Sequence, residues 1–242
     1  MTLMTAEYYL SKRIIWLLLS CFSLLNASLT FAQQSLFNVP SVETTEKHKF
    51  FFQEQLDLFS NGIANTTIDY GLGEGWETGL TIPGVNLYAT DQKQNDPSLL
   101  LNVQKGFNVN ENWKVGIGTQ TGSTLAGQDT SSHLATYNYV NNAFDLQDWG
   151  KYYLGVYSAN KAITGTKANT NVLAGMEIPF TQDVHLMADY TGGKSDIGAT
   201  VVGIVWYASK AWQFSLGGQF SNADSSHHHL QGAIMEFTFV QQ

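Results

Sequence analysis

Charge is scarce in this chain of 242 residues. Asp, Glu, Lys and Arg together make up 13% of it, about half of the roughly 25% that is usual in soluble domains. Basic residues number 12 against 20 acidic ones, and the formal net charge is −8. This balance excludes a basic nucleic-acid-binding protein. Because charge is so rare, the polar surface must come from Asn, Gln, Ser and Thr.

Cysteine, proline and long apolar runs are also rare. The single cysteine excludes a disulfide scaffold, and the 43% hydrophobic content excludes a disordered chain. Beyond the N-terminal region there is no apolar run of about 18 residues and no sustained period of about 3.6 residues, so neither a helix bundle nor a membrane-spanning helix is predicted. The length suits one closed sheet or one core, and it is short for two large domains.

Residues 1–32 have the pattern of a secretory signal peptide. Lys12 and Arg13 precede an apolar run, and Thr30 and Ala32 are small residues at the spacing that a signal peptidase requires. We expect cleavage after Ala32, which removes the only cysteine and the only arginine and changes the net charge from −8 to −9. A chain without thiols can cross an oxidising periplasm without mispairing.

Two other interpretations of this N-terminal region remain open. Residues 14–32 could be retained as a membrane anchor, although Ser, Asn and Thr dilute the run. Cys21 could be a lipoprotein acylation site after a very short apolar stretch.

What the rest of the chain contains is alternation of apolar and polar residues in short pieces, separated by clusters of Gly, Asn, Asp and Ser. There are twelve such pieces, and each is predicted to be a strand. They are Lys49 to Phe59, Ala64 to Leu72, Trp76 to Ile82, Ser98 to Phe107, Trp113 to Thr121, Leu134 to Val140, Lys151 to Ser158, Asn171 to Ile178, Val184 to Tyr190, Ile197 to Ala208, Trp212 to Phe220 and Leu230 to Val240.

The composition of the two faces distinguishes a membrane barrel from a soluble sheet. In the fourth piece Leu99, Leu101 and Val103 alternate with Asn102 and Gln104, and most other pieces follow suit. A soluble sandwich also alternates, but Lys, Glu and Arg usually cover its outer face. Here the polar face is mostly amide, hydroxyl and glycine, which suits the interior of a closed sheet with lipid outside. We therefore predict an all-β fold, a transmembrane antiparallel up-and-down β-barrel of about 12 strands, over residues 48–242.

The lengths of the connections support the same fold. Joints after even-numbered pieces are mostly short and joints after odd-numbered pieces are mostly long and polar, as expected of a barrel with periplasmic turns and external loops. Two joints fit poorly: Ser60 to Ile63 is short where a loop is expected, and Asn141 to Gly150 is long where a turn is expected.

Tryptophan positions give a third indication. Four tryptophans lie at or near the start of a strand, just after a predicted periplasmic turn: Trp76, Trp113, Trp149 and Trp212. Aromatic residues at these points are predicted to form the belt at the periplasmic membrane interface.

With these features the chain resembles the bacterial outer-membrane β-barrel class, over roughly Lys49 to Gln242. The final strand, Gly232 to Phe239, is similar to the C-terminal signal that the barrel-assembly machinery recognises in that class, but Val240, Gln241 and Gln242 follow the last Phe. Asp69 to Leu80 resembles hairpins of small outer-membrane transporters. The resemblance implies outer-membrane lipid and the assembly machinery as partners.

Ionisable residues on the polar faces are the candidates for lumen and selectivity positions. They are Asp57, Asp69, Glu77, Lys114, Glu177, His185, Asp189 and Glu236. An acid-rich interior would attract cations, but the same groups could instead hydrogen-bond one another and close the lumen. Glu54 falls in the apolar register, which predicts a bulge or a position near the membrane interface. Residues 33–47 show little periodicity and are expected to be a periplasmic tail or a plug in the lumen.

Metal binding and catalysis have weak support. His227 and His229 would share one side of a strand, with His133 as a third possible ligand, but polar loop histidines without a carboxylate partner are the simpler interpretation. Ser132 next to His133 is the only pair that suggests a lipid hydrolase, yet sequence neighbours on a strand point to opposite faces. We expect no enzyme activity and no cofactor.

The sequence thus predicts an exported outer-membrane barrel that forms a narrow pore for small neutral or cationic solutes, or for apolar ones if a lateral exit exists. A non-conducting structural or surface-interaction barrel and, third, a lipid-modifying enzyme remain the alternatives. The solute and the oligomeric state are left open, and no nucleic acid is expected as a partner.

Overall fold

The structure is a computed structural model, and it describes residues 36–59, 61–89, 96–125, 133–165, 169–222 and 230–242. The predicted signal peptide, 1–32, and the alternative lipoprotein site at Cys21 lie outside the described residues.

Within the described residues, twelve strands form one closed antiparallel barrel. Each strand pairs with its neighbours in sequence, and β1 pairs with β12 to close the sheet. The predicted twelve-stranded, up-and-down barrel is therefore confirmed. The strands are β1 (Phe50–Leu58), β2 (Asn61–Gly73), β3 (Trp76–Ala89), β4 (Ser98–Asn110), β5 (Trp113–Thr124), β6 (Leu134–Asp145), β7 (Lys151–Ala159), β8 (Asn169–Pro179), β9 (Val184–Thr191), β10 (Ala199–Tyr207), β11 (Trp212–Ser221) and β12 (Leu230–Val240).

Burial alternates along the strands as the sequence pattern predicts. In β7, Tyr153 and Tyr157 are buried, whereas Leu154 and Val156 between them are 58% and 50% exposed. The exposed side chains of most strands are large and apolar, and the buried ones include amides, hydroxyls and carboxylates. This inverted distribution places the polar face inside the barrel and an apolar band on its outer wall, as lipid requires.

The two ends of the barrel differ in their connections. At the end that we call the turn end, β2 and β3 are joined by Glu74 and Gly75 alone. Gly73, Glu74 and Gly75 have φ angles of 92°, 54° and 76°, a left-handed backbone that glycine adopts without strain. The strand that opens the barrel starts here and the strand that closes it ends here. The longer connections lie at the opposite end, the loop end.

Two local expectations are corrected, and the short first joint is confirmed. The predicted long turn from Asn141 to Gly150 is wrong, because β6 continues to Asp145 and a short 3-10 helix, Gln147–Trp149, completes the connection. The short joint between β1 and β2 is real, since β1 ends at Leu58 and β2 begins at Asn61. No bulge explains Glu54: its register with both neighbouring strands is unbroken, and it faces outward and accepts a hydrogen bond from Thr66 Oγ1 at 2.7 Å.

Helix is minimal in the described residues. One turn of α-helix, α1 (Lys161–Thr164), lies between β7 and β8 at the loop end. No helix in the described part of the chain is long and apolar enough to cross a membrane.

Candidate functional site

Residues 36–47, which we call the inner segment, lie inside the barrel. The side chains of Leu36, Phe37, Val39 and Val42 are at most 2% exposed. The segment enters from the turn end, where Lys47 bridges to Gly71 of β2. Besides bonds within the segment, it contacts inward-facing residues of the barrel wall, so the lumen of the described structure is occupied by the protein's own chain.

Glycines of the wall make room for the inner segment. A Cβ atom on Gly71 would lie 2.1 Å from the carbonyl oxygen of Glu46, and one on Gly175 would lie 2.2 Å from Leu36 Cδ1. Gly106 and Gly116 face each other across β4 and β5, and Val42 packs against both. Larger residues at these positions would displace the segment, so the glycines of the polar face form the surface on which it lies.

An ion pair anchors the middle of the inner segment near the turn end. Glu43 accepts hydrogen bonds from Lys114 Nζ at 2.7 and 2.9 Å, and Lys151 Nζ lies 3.8 Å from the same carboxylate. The Glu43 side chain is 17% exposed, so water screens this interaction less than it screens a surface pair. Two lysines from different strands thereby hold one carboxylate of the segment.

Carboxylates of the wall in turn bind backbone N–H groups of the segment. Asp189 Oδ2 accepts from the N–H groups of Asn38 at 2.5 Å and Val39 at 3.0 Å. Glu77 Oε2 accepts from the Thr45 N–H at 2.6 Å. These bonds satisfy backbone donors of the buried segment, so two of the predicted lumen carboxyl groups fix its path.

Amide side chains of the wall complete the attachment. Gln104 Nε2 donates to the carbonyl oxygens of Ser41 and Glu43 at 3.3 and 3.0 Å. Asn141 Nδ2 donates to the carbonyl oxygen of Pro40 at 2.5 Å. These contacts satisfy backbone groups that would otherwise be buried without a partner.

A second ionisable cluster lies at the turn end on β8, β9 and β10, where Glu177 pairs across the sheet with Lys151. Glu177 Oε1 lies 2.6 Å from His185 Nδ1 and accepts a hydrogen bond from the Tyr207 hydroxyl at 2.5 Å. Glu177 is 6% exposed. Together with the inner segment, this cluster closes much of the lumen at the turn end with side chains that hydrogen-bond one another.

Toward the loop end the lumen holds a cavity of about 500 Å³. Phe37, Asn38 and Pro40 of the inner segment contribute to it, and Glu77 and Gln104 lie nearest the turn end. No Lys, Arg or His is among the described residues that line it. Its polar lining combines hydroxyls of Thr and Tyr with amides and carboxylates, the amides and carboxylates being those of Asn38, Gln53, Gln55, Asp57, Asn65, Asp69, Glu77, Asn102, Gln104, Gln120, Asp196, Gln219 and Gln231.

Amide groups hold the carboxylates of the cavity. Asp57 accepts hydrogen bonds from Gln55 Nε2 and Asn65 Nδ2, both at 2.9 Å. Asp69 Oδ1 accepts from Asn102 Nδ2 at 3.1 Å. Among the described residues no ion pair includes Asp57 or Asp69, so their negative charge is left for a solute or for counter-ions.

The structure separates the predicted lumen residues into two groups. Asp57, Asp69 and Glu77 line the cavity. The other five also lie on the inner face but outside the cavity lining: Lys114, Glu177, His185, Asp189 and Glu236. Glu236 is 1% exposed and contacts Gln53 Nε2 at 3.4 Å, so it is packed into the wall. Their role in solute selection remains a prediction.

Sequence reasoning missed a tyrosine cluster on adjacent strands. Tyr137, Tyr139 and Tyr157 face inward and are at most 8% exposed. The rings of Tyr137 and Tyr157 stack at 5.4 Å between centroids, and the Tyr139 hydroxyl donates to Gln104 Oε1. The available signal was the two-residue spacing of tyrosines in β6, in phase with the polar face.

The four tryptophans of the predicted belt all lie at the turn end: Trp76, Trp113 and Trp212 are the first residues of strands, and Trp149 ends the 3-10 helix between β6 and β7. Trp149 is 78% exposed, Trp76 and Trp212 are 45% and 44% exposed, and Trp113 is half-buried. Trp206, which is not one of the four predicted belt residues, joins them at 50% exposure next to Phe214. Every tryptophan in the described residues is thus at one end of the barrel.

Of the residues suggested for metal binding or catalysis, the structure describes only His133. His227, His229 and Ser132 lie outside the described residues, and His133 is exposed at the loop end before β6. Within the described part of the chain, no group of three or more His, Cys, Asp or Glu side chains could hold a metal ion.

Comparison with known proteins shows the fold alone. No protein-family model matches the chain, and no curated protein matches its sequence. Among solved structures, the KdgM porin has 9% sequence identity and a TM-score of 0.54, with 79% of this chain and 98% of that chain covered. The NanC porin has 10% identity and a TM-score of 0.52, with 80% and 100% covered.

A further solved structure, outer membrane phospholipase A from Escherichia coli, matches at 10% identity and a TM-score of 0.41, with 81% of this chain and 96% of that chain covered. The closed barrel, its apolar outer band and the similarity to the two porins agree with one another. The chain has the fold of the bacterial outer-membrane β-barrels.

Proposed function

We propose that this protein is a channel of the bacterial outer membrane for small neutral or cationic solutes, exported by a cleaved signal peptide and narrowed by its inner segment acting as a plug. The observation that carries the proposal is the cavity of about 500 Å³, which is lined by amides, tyrosines and carboxylates and, in the described residues, by no basic side chain.

The charge of the cavity favours cations over anions. Asp57, Asp69, Glu77 and Asp196 contribute carboxylates to its lining. Charges of one sign in a narrow passage with low-dielectric walls concentrate the opposite ion and exclude like charge. Neutral solutes can exchange hydrogen bonds with the many amides, which both donate and accept.

The turn end sets the condition for passage. There the inner segment and the Glu177 cluster occupy much of the lumen, and in this proposal a solute passes when the inner segment shifts. The non-conducting barrel is the alternative in which the segment never shifts. An apolar solute would need an exit through the wall. The candidate place is between β3 and β4, which pair only from Trp76–Lys105 to Thr81–Leu100, so the loop-end half of β3 does not have β4 as its partner.

Planar-bilayer recording of the mature chain tests the channel. We expect ohmic current steps with a reversal potential that shows cation selectivity in a KCl gradient. The double variant Asp57→Asn and Asp69→Asn should lose much of that selectivity, and Asp183→Asn, in the exposed β8–β9 turn, is the matched control. Silence of a correctly folded barrel would overturn the proposal.

A disulfide lock tests the plug. An ideal Cβ on Gly116 lies 3.3 Å from Val42 Cβ, close to the spacing of about 3.5–4.5 Å found in disulfides. Val42→Cys with Gly116→Cys should therefore tether the inner segment to β5. We expect a lower open probability in the oxidised form, restored by dithiothreitol; equal currents in both forms would show that conduction does not require the segment to move.

A further inference from the structure

One side of the outer wall carries a row of polar side chains. Four outward-facing residues of β5 to β8, which we call the polar row, pair each with the next across the sheet: Thr119, Asn138, Ser158 and Thr170. Their outward direction follows from Tyr139 and Tyr157, the buried neighbours of Asn138 and Ser158. On β10, by contrast, the outward-facing Val202 and Ile204 are apolar and exposed.

The first half of the polar row lies within the apolar band of the barrel. Thr119 follows Trp113 of the turn-end belt by six residues. With a rise of about 3.3 Å per residue and a strand tilt of about 40°, Thr119 is about 15 Å from the belt, inside a band that is about 25 Å tall. Asn138 pairs with Thr119 and lies beside it. Acyl chains have no hydrogen-bonding groups, so an exposed amide at this depth is costly unless another protein surface meets it.

Asn138 has hydrogen-bonding groups to spare. Thr119 Oγ1 donates to Asn138 Oδ1 at 2.8 Å, which uses one of the two lone pairs of that oxygen. The Nδ2 group, with two N–H donors, makes no hydrogen bond to any residue that the structure describes. Asn138 is exposed on the wall, so a partner can reach both its donors and its second lone pair.

The wall around Asn138 is recessed. A groove of about 550 Å³ lies over β4 to β8, and its lining joins the polar row to apolar side chains of the same strands: Val103, Ile117, Val140 and Val156. Short side chains in a membrane-facing surface let two backbones approach closely. This face therefore combines close approach, apolar contact and a central amide.

We propose that this face is the interface of a two-fold symmetric homodimer in the membrane, with Asn138 beside the axis. A two-fold rotation brings the amide of one copy opposite the partner's Asn138. Each Nδ2 group can then donate to the other Oδ1 atom, because an amide complements itself. A lipid chain could fill the groove but could not satisfy the amide. The proposal concerns assembly and does not depend on conduction.

Cross-linking of single-cysteine variants tests the position of the axis. The only cysteine of the sequence is Cys21, in the predicted signal peptide, so a mature Asn138→Cys chain would carry one thiol. In isolated outer membranes treated with copper phenanthroline, we expect Asn138→Cys to form a disulfide-linked dimer that dithiothreitol separates. Val202→Cys, at an outward position of β10, is the matched control and should stay monomeric.

Energy transfer between labelled copies in lipid vesicles tests the role of the amide. We expect Asn138→Leu to weaken dimerisation about tenfold, as loss of polar contacts between membrane segments does. Asn138→Gln keeps an amide and should dimerise more strongly than Asn138→Leu. Leucine suits a lipid-facing position, so Asn138→Leu should fold, and compact migration before boiling checks this.

Four outcomes would overturn the proposal. The first three are no cross-link at Asn138→Cys, equal cross-linking at Val202→Cys, and equal association of Asn138→Leu and the wild type. The fourth is a monomer that carries a bound lipid in native mass spectrometry and loses it in Asn138→Leu, since the face would then be a lipid site. A dimer that carries no current would refute the channel and leave this proposal standing, whereas a conducting monomer would do the reverse.

Discussion

The carboxylates at the two ends of the lumen have different bonding partners. At the turn end, Glu43 is held by Lys114 and Lys151, and Glu177 by His185 and the Tyr207 hydroxyl. Toward the loop end, the carboxylates of the cavity have amide partners instead of cations.

The difference shows how one acid-rich interior can be filled at the turn end and still keep a cavity toward the loop end. Where lysines are supplied, a carboxylate of the inner segment, Glu43, is tied to the wall. Glu177 is bonded within the wall by His185 and Tyr207. Where only amides are supplied, as at Asp57 and Asp69, the charge remains uncompensated and a cavity persists. An amide donor holds a carboxylate in place without neutralising it.

The largest effect is expected from removing the surface on which the inner segment lies. In Gly71→Val the new side chain would overlap the carbonyl oxygens of Glu46 and Thr45, and the segment should leave the lumen. Chymotryptic cleavage after Phe37 should then become about 100-fold faster, for a cost near 3 kcal/mol, and the current steps should grow. Ala174→Val on the outer face is the control. Unchanged protection of Phe37 would contradict the assigned position of the segment.

Reversing the anchoring charge should have the next largest effect. Glu43→Lys faces Lys114 and Lys151, so the loss of the charged hydrogen bonds should weaken docking of the segment by about 1.5–3 kcal/mol and accelerate the same cleavage about tenfold or more. Adding Lys114→Glu should restore part of the protection, because one pair is re-formed with opposite polarity. If the double variant is no better protected than the single one, the ion pair does not anchor the segment.

A cation placed in the cavity should give its carboxylates a positive partner, as at the turn end, and so lower the selectivity for cations. Gln120→Lys introduces an ammonium group among the lining residues, and an interaction of about 1 kcal/mol with a permeating ion would change the permeability ratio of K⁺ to Cl⁻ about fivefold. Reversal potentials in a KCl gradient measure it. Gln182→Lys, in an exposed turn, should leave the ratio unchanged, and an equal shift in both variants would mean that the cavity is not on the ion path.

The smallest effect is expected from removing an aromatic side chain of the tryptophan belt. Trp149→Ala removes a ring that is 78% exposed at the turn end, and it should lower the free energy of unfolding in lipid bilayers by about 1 kcal/mol while leaving the currents unchanged. Urea titration in vesicles and in a detergent would be compared, with Asp148→Ala as the neighbouring control. An equal loss in both media would show that the ring does not anchor the barrel in lipid.

The fold was predictable because its signals are local. Alternation assigns each residue to the inner or the outer face, so the inward positions of Asp57 and Asp69 follow from parity alone. The lengths of the connections then distinguish the turn end of the barrel from the loop end. β6 was predicted too short because Asn141 and Asn142 resemble turn formers; in the barrel Asn141 donates to the Pro40 carbonyl oxygen, and Asn142 donates to the Leu154 carbonyl oxygen and accepts from the Trp113 Nε1 group.

The site was less predictable because its contacts are distant in sequence. The inner segment lacks periodicity since successive residues contact different walls: Val42 lies on β4 and β5, and Val39 binds Asp189 of β9. The Asp69–Asn102 contact depends on the absence of a side chain at Gly79 between them, which no single strand pattern reveals.

The position of the inner segment also orders the assembly of the molecule in time. Asn38 bonds to Gln219, 181 residues later in the chain, and Val39 bonds to a residue 150 positions away. Asn38 and Val39 therefore find these partners only after most of the chain has been synthesised. Contacts of such long sequence separation form slowly, so the seating of this stretch and the final closure of β1 against β12 belong to the last steps of folding.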